Sequence, residues 1–459
     1  SGTITGEHHG DGSNLTSIPA GNLTGTVADA RFPATLPAVS GANLTSLPAG
    51  NLTGTIADAR ISTLTASKLS GALPALDGSA LTGVGVGTAD SINTSGIITA
   101  TAFVSTNQNL SHRNKIINGS QQIFQRGTSA QRSGGNDGYY NGIADRWAIR
   151  MHSSVAQTTF SQDTSDNPHG FGSNQKSVRS NAGSSNVGKY YVYDTKLEGQ
   201  DLQDFAKGTS SAKEFTLSFY VKTGVSGVYC IEMRDLDNSR MVGGTYTVSN
   251  GNWNRYVITF PADTTGAFGN DNGASLWVRF WLAAGSNFTS GTARTAWASG
   301  APDSVLAVGQ TAQVGDNVAD TWQITGIQLE VGSVATPFEH RSRGDELARC
   351  QRYCVLKGGA NGTYDAMATG AVWSSTVAFI PYFLPVEMRD TPSLTLVGSL
   401  SDFRYTRSGS EVTPAGLTFD QGGKTMCAVR LTGSSMTQND AVRLYNMNTN
   451  GGFLFTAEL

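Results

Sequence analysis

Phe215-Thr216-Leu217-Ser218-Phe219-Tyr220-Val221-Lys222 alternates strictly, with Phe215, Leu217, Phe219 and Val221 on one side of an extended chain and Thr216, Ser218, Tyr220 and Lys222 on the other. Successive side chains of a strand point to opposite faces, so this reads as a strand with one apolar and one polar face. Working outward, residues 228–233, 255–260, 276–282 and 322–331 read as further strands. Gly, Asn, Asp and Ser clusters separate them, and no long amphipathic helix intervenes. Many short strands with turn signals between them predict an antiparallel sandwich of jelly-roll type.

This texture begins near Asn114, and the aromatic residues mark the boundary. Of 40 Phe, Trp and Tyr in 459 residues, only Phe32 and Phe103 precede residue 113. The first quarter therefore lacks the large side chains that normally supply a core. It carries a repeat instead: residues 14–32 (NLTSIPAGNLTGTVADARF) and 43–61 (NLTSLPAGNLTGTIADARI) agree at 16 of 19 positions, 29 residues apart. Self-similarity of this kind marks a repeat architecture. Gly, Pro and Asn recur too often for a coiled coil, and the sparse Leu, Ile and Val are too few for one chain to bury. They suffice if three copies wind about a common axis. An intertwined, β-rich trimeric shaft is the reading, with a flexible Gly-rich tether as its alternative. Residues 92–104 carry apolar side chains on both faces and read as a strand buried on two sides, at the end of the shaft.

Lys and Arg number 32 against 35 Asp and Glu, a net charge of −3. That balance argues against a nucleic-acid binder, whose footprint is a basic excess, and points to uncharged glycans or local contacts. Four cysteines, Cys230, Cys350, Cys354 and Cys427, are too few and too scattered for a disulfide framework. The most apolar run, residues 377–386, is too short to span a membrane and contains Pro381 and Pro385, so it reads as a buried strand with a break. No stretch reads as a transmembrane segment or signal peptide, and no membrane insertion is expected. The chain starts Ser1-Gly2 without a methionine, which leaves room for a natural start upstream.

Residues 344–354 (GDELARCQRYC) are the most helix-like segment, with Asp345 and Glu346 in the first turn and Leu347, Cys350 and Cys354 on one stripe. The two cysteines could bind metal or form a bridge; small apolar contacts in a three-helix neck are the reading adopted. The domain division is then 1–112 shaft, 113–343 jelly-roll domain, 344–354 short helical neck and 355–459 distal β-sandwich tip. No nucleophile elbow, HExxH, Walker A or paired CxxC occurs, and the six histidines show no metal-like spacing. Gly83-x-Gly85-x-Gly87 lacks the flanking strand, helix and acidic partner of a phosphate cradle. Neither a metal nor a cofactor is expected.

Asn114-Lys115-Ile116-Ile117-Asn118-Gly119-Ser120, Gln125-Arg126-Gly127-Thr128 and Ala144-Asp145-Arg146-Trp147 open a pattern. Ile324-Thr325-Gly326-Ile327-Gln328-Leu329-Glu330-Val331-Gly332, Ala335-Thr336-Pro337-Phe338-Glu339-His340-Arg341 and Glu346-Leu347-Ala348-Arg349-Cys350-Gln351-Arg352-Tyr353 close it. Framing about half the chain, the pattern resembles a domain common in bacteriophage tail-fibre proteins, itself similar to carbohydrate-binding jelly rolls. The repeats and residues 95–101 resemble the shafts of such fibres, particularly from phages of aquatic bacteria. Residues 386–392 and 453–459 resemble the family's distal domains. The resemblance implies a homotrimeric, extracellular virion fibre, joined to other tail proteins through its amino-terminal end. It also implies a non-catalytic adhesin for a bacterial surface glycan or outer-membrane receptor. The alternatives are a fibre decorating capsid or tail without primary receptor duty, and a tailspike-like polysaccharide depolymerase. The latter needs paired carboxylates about 5 to 10 Å apart in a groove.

The motif residues have plain structural readings. Asp145 and Arg146 beside a buried Trp147 pin a strand end, and Gln328 and Glu330 form the polar face of the last strand. By analogy with such fibres, receptor contact is expected at the tip. Tyr364, Trp373, Tyr382 and Tyr405 are the candidate sugar platforms there, each weighed against a place in the tip's own core.

Overall fold

Strands form where alternation places them, and the chain changes sheet between many of them. The computed structural model describes His9, Thr16 and residues 111–133, 138–141, 143–152, 157–181, 187–359, 366–407, 409–447 and 450–459. The expected shaft, with its 29-residue repeat and the segment 92–104, lies outside the described residues apart from His9 and Thr16, and so does Tyr364. The chain divides into two units, Ser1–Thr99 and Ala100–Leu459. The described part of the second unit is mainly strand.

In chain order its first group of strands is β1 (Ser129–Ser133), β2 (Gly138–Asn141), β3 (Ala148–His152), β4 (Gln157–Asp163), β5 (Asn174–Asn181), β6 (Tyr190–Glu198), β7 (Phe215–Thr223), β8 (Gly227–Asp235), β9 (Arg240–Val248), β10 (Asn254–Phe260), β11 (Ala274–Ala284), β12 (Ala298–Ser299) and β13 (Thr321–Val331). They make two antiparallel sheets, β1-β4-β5-β13-β7-β10 and β12-β9-β8-β11-β6-β3-β2. The core lies between them: Phe215, Leu217, Phe219 and Val221 of β7 are buried, with Tyr193, Ile231 and Phe280 from the other sheet in the same cluster. Phe219 meets Phe280 edge-on at 5.0 Å, and Trp147 stacks on Tyr193 at 4.7 Å. Each such side chain contributes about 1.5 to 3 kcal/mol by leaving water.

The polar face of β7 and β13 is not left to solvent. Gln328 and Glu330 are as buried as the apolar residues beside them. The segment after β13 roofs them: Thr336 Oγ1 donates to Glu330 Oε2 at 2.6 Å, and the Glu339 amide donates to Gln328 Oε1 at 2.8 Å. A buried polar group is costly unless bonded, so the motif from Ala335 to Arg341 supplies the partners that a solvated face would have taken from water.

The two ends of the sequence pattern meet in space. The Asn114 side chain donates to Ile327 O at 3.0 Å and accepts from the Leu329 amide at 3.1 Å. The Ile327 amide in turn donates to Gly119 O at 2.9 Å. A Cβ on Gly119 would sit 2.1 Å from Ile327 O, so this close backbone approach requires glycine. Gly326 has φ +62° within a register shift of β13, where a Cβ would strike Phe171 and Tyr220.

The remaining strands are β14 (Cys354–Gly358), β15 (Ala366–Ser374), β16 (Val377–Phe383), β17 (Ser393–Val397), β18 (Phe403–Arg407), β19 (Ser410–Val412), β20 (Gly416–Gly422), β21 (Met426–Thr432), β22 (Ala441–Asn446) and β23 (Gly452–Thr456). They form the sheets β14-β23-β17 and β19-β18-β22-β15-β16-β21-β20 around a separate core. Pro381 does not break β16, which runs on to Phe383. Pairing with β15 ends at Phe379, so the missing N–H of Pro381 leaves no gap in that ladder.

A helix, Arg343–Gln351, joins the two bodies, with Ser342 Oγ capping the Asp345 amide at 3.1 Å. The three-helix neck expected to cover Cys350 and Cys354 is not needed for that purpose, because both thiols are fully buried within a single chain. Burial pushes both thiols up, and all four cysteines are free.

Candidate ligand-binding face

The tip candidates separate by burial. Tyr382 packs on Phe453 and Phe455 at 5.3 and 5.8 Å, and Tyr405 is fully buried, its hydroxyl accepting from the Ser434 amide at 3.1 Å. Both are core residues with no ring face for a sugar, because the seven-stranded sheet needs them to fill its inner side. Trp373 alone among the described candidates reaches the surface, at 67% exposed, and the structure brings no second candidate to it.

Asp145, Arg146 and Trp147 do pin a strand end, and Arg146 also reaches across to the second body. Arg146 has φ +73°, lies 3.5 Å over the Tyr353 ring and donates to Lys196 O at 2.7 Å. Its Nη1 meets Glu458 Oε2 at 2.5 Å, while Arg126 meets Glu458 Oε1 at 2.6 Å. Asp145 accepts from the Gln125 amide and side chain, and burial pushes its carboxyl up to about 6 against the pull of Arg126. Arg352 forks onto Glu198 at 2.9 and 2.8 Å, where Tyr353 also donates. Burial opposes ionisation of Glu198, but these bonds outweigh it and hold its carboxyl below the usual range. These charged residues thus serve the joint, and the hollows that Arg146 lines beside it hold about 10 Å³ each.

A different constellation occupies the outer face of the seven-stranded sheet of the sandwich. In β11 the residues between the core positions Leu276, Val278, Phe280 and Leu282 are Trp277, Arg279 and Trp281. Register then chooses their neighbours. Arg279 pairs with Asp194 of β6 on one side and Glu232 of β8 on the other, and Trp277 lies between Lys196 and Arg234. Four cations surround the Trp277 ring: Arg279 at 3.2 Å, Arg150 at 4.5 Å, Lys196 at 5.2 Å and Arg234 at 5.7 Å from its centroid. Asp194 accepts from Arg150 Nε and Trp277 Nε1, both at 2.9 Å. Glu232 accepts from Arg234 Nε at 2.8 Å, Arg279 Nη1 at 3.1 Å and Trp281 Nε1 at 3.1 Å. Burial raises the Asp194 carboxyl and lowers Arg279; burial also lowers Lys196, with Arg150 adding repulsion.

The segment after β11, carrying the helical turn Ser286–Thr289, folds back over one end of this face and seals it with Phe288 and Leu306 against Val192, Trp281 and Met241. A cavity of about 350 Å³ remains beside it, lined by Arg150, Arg234, Arg279, Tyr190, Trp281 and Phe288, with Asn287 and Asp303 at its exposed rim. That volume lies at the lower end of small-molecule sites, ~300 to 1,000 Å³. Nothing local in the sequence marks these residues as a site. The alternation of Trp277, Arg279 and Trp281 was visible in the strand, but its meaning depends on β6 and β8 lying alongside.

No family model and no curated protein sequence matches the chain. Among solved structures, it is similar to the enzymatically active domain of bacteriophage CBA120 tailspike protein 4, with a TM-score of 0.24 and 11% identity over 48% of this chain. The match spans 21% of that tailspike domain. A CBM4 structure gives a TM-score of 0.24 at 10% identity, covering 47% of this chain and 97% of its own. A family 11 carbohydrate-binding module of a Clostridium thermocellum cellulosomal cellulase gives 0.22 at 11% identity, covering 46% and 100%.

Proposed function

We propose that the chain is a non-catalytic glycan-binding adhesin of a bacteriophage tail fibre, acting as a homotrimer on the virion and binding a bacterial surface polysaccharide. One observation carries the glycan reading: the cavity on the outer sheet face combines the apolar edges of Tyr190, Trp281 and Phe288 with the polar groups of Arg234, Asn287 and Asp303. Sugar rings need that pairing of apolar face and directional hydrogen bonds. The fibre reading rests on the motifs and the amino-terminal repeat, and trimer avidity would strengthen weak single-site contacts. The carboxylates support a non-catalytic role: Asp303 at the rim has no second carboxylate lining the cavity with it among the described residues, and the next pair lies behind the cavity wall. Asp194 and Glu232 are buried and hold Arg, Trp and each other's neighbouring strands, which suits braces better than an acid and base pair.

The test is binding of the labelled full-length chain to bacterial cells, with extracted surface polysaccharide as competitor. Saturable binding removed by polysaccharide is expected. Binding unaffected by any polysaccharide would overturn the glycan reading, and release of reducing ends would favour the depolymerase. Light scattering that gives a monomer would remove the trimeric shaft.

A further inference from the structure

We infer that this cavity selects a glycan residue bearing an anionic group, a uronate carboxylate or a phosphate or sulfate ester, and that Arg234 is the fork that reads it. The inference rests on the glycan-binding reading above and narrows its ligand class. The near-neutral charge of the whole chain points the other way, but a ligand in the cavity meets only the groups that line it.

The surfaces an incoming ligand meets are unequal in sign. Among the described residues, three guanidiniums, Arg150, Arg234 and Arg279, line the cavity against one carboxylate, Asp303, at the exposed rim. The balancing acids, Asp194 and Glu232, are buried, with their oxygens taken by Arg and Trp donors. Two guanidiniums share Glu232, and Arg279 Nε has no hydrogen-bond partner among the described residues. Arg234 spends only its Nε on Glu232 and makes no other hydrogen bond among the described residues, so both Nη nitrogens remain for a ligand. A planar guanidinium with an open edge matches carboxylate and phosphate oxygens in pairs, and such charge-assisted bonds are the strong ones. Because Glu232 and the Trp277 ring hold Arg234 in place, little rotamer freedom is lost on binding.

The experiment uses the full-length chain against acidic bacterial capsular polysaccharides, each paired with its carboxyl-reduced neutral form, and a phosphodiester-linked polymer. Arg234→Gln removes the fork, and Arg234→Lys keeps the charge without it; Arg279 retains Glu232 in both, and thermal melts confirm folding. The expected result is a preference of about tenfold or more for the acidic form, weakened by salt. Arg234→Gln should erase that preference, weakening the acidic form about tenfold more than the neutral form, and Arg234→Lys should restore it only in part. Tight binding of the phosphodiester polymer alone would assign the anion to a phosphate ester. Equal binding of acidic and reduced forms, or a preference that survives Arg234→Gln, would overturn the inference and leave the glycan reading standing. Failure of every polymer to bind would overturn both.

Discussion

Arg146 and Glu458, 312 residues apart, meet at 2.5 Å with the guanidinium 4% and the carboxylate 15% exposed. Arg126 takes the other oxygen of the same carboxylate. Removing one partner of a buried pair strands the other charge, at a cost of about 3 to 5 kcal/mol. Glu458→Gln should therefore lower the unfolding midpoint markedly and open the joint near Arg352 to protease. Arg146→Lys should also destabilise, since it loses both the fork and the stack on Tyr353. A midpoint within a degree of wild type for Glu458→Gln would show that the joint does not depend on this pair.

Asp145 sits in the same joint, and burial lifts its carboxyl from 3.8 to about 6. A carboxyl with a raised folded-state pKa binds more protons folded than unfolded within that window. Its contribution is present below about 4 and is lost as pH rises through about 6. Stability of wild type measured against Asp145→Asn should fall between those values, with a slope approaching one proton. Parallel curves would refute the assignment.

The four thiols give a direct readout of packing. Burial pushes Cys230 up to about 12 and Cys427 up to about 11, and Cys350 and Cys354 are also raised. Thiolate is the reactive form, so a maleimide or aromatic disulfide reagent should label none of them in the native protein and all four in denaturant. Rapid native labelling of Cys350 or Cys354 would mean that the joint opens.

Two tip candidates should behave as opposites. Tyr405→Ala removes a fully buried ring and should cost about 3 to 5 kcal/mol, whereas Trp373→Ala at an exposed site should stay within about 0.5 kcal/mol. Chemical denaturation of the two variants checks the difference. Similar losses would place Trp373 in an interface with another surface.

The alternation in β7 named its core side correctly, because a period of two is a local property of the chain. The structural role of Asp145 and Arg146 was also readable, since charges next to a buried Trp must be paired. Their partner Glu458 was not, because nothing local to residue 146 indicates which distant strand end returns to it. Gln328 and Glu330 have the right period for a solvated face and lie buried instead. Only the fold brings the segment at Thr336 and Glu339 over them.

Sequence alone determined the strand-rich class, the aromatic boundary near residue 113 and the two ends of the framing pattern, each set by local periodicity or composition. Tertiary structure decided which aromatics remain exposed, what the motifs grip, and where positive charge gathers. Arg279 acquires its meaning from Asp194 and Glu232, 85 and 47 residues away, through the register of three strands. A net charge of −3 averages over the chain, but electrostatic force falls with distance, so a ligand responds to the few guanidiniums around Trp277 rather than to the total.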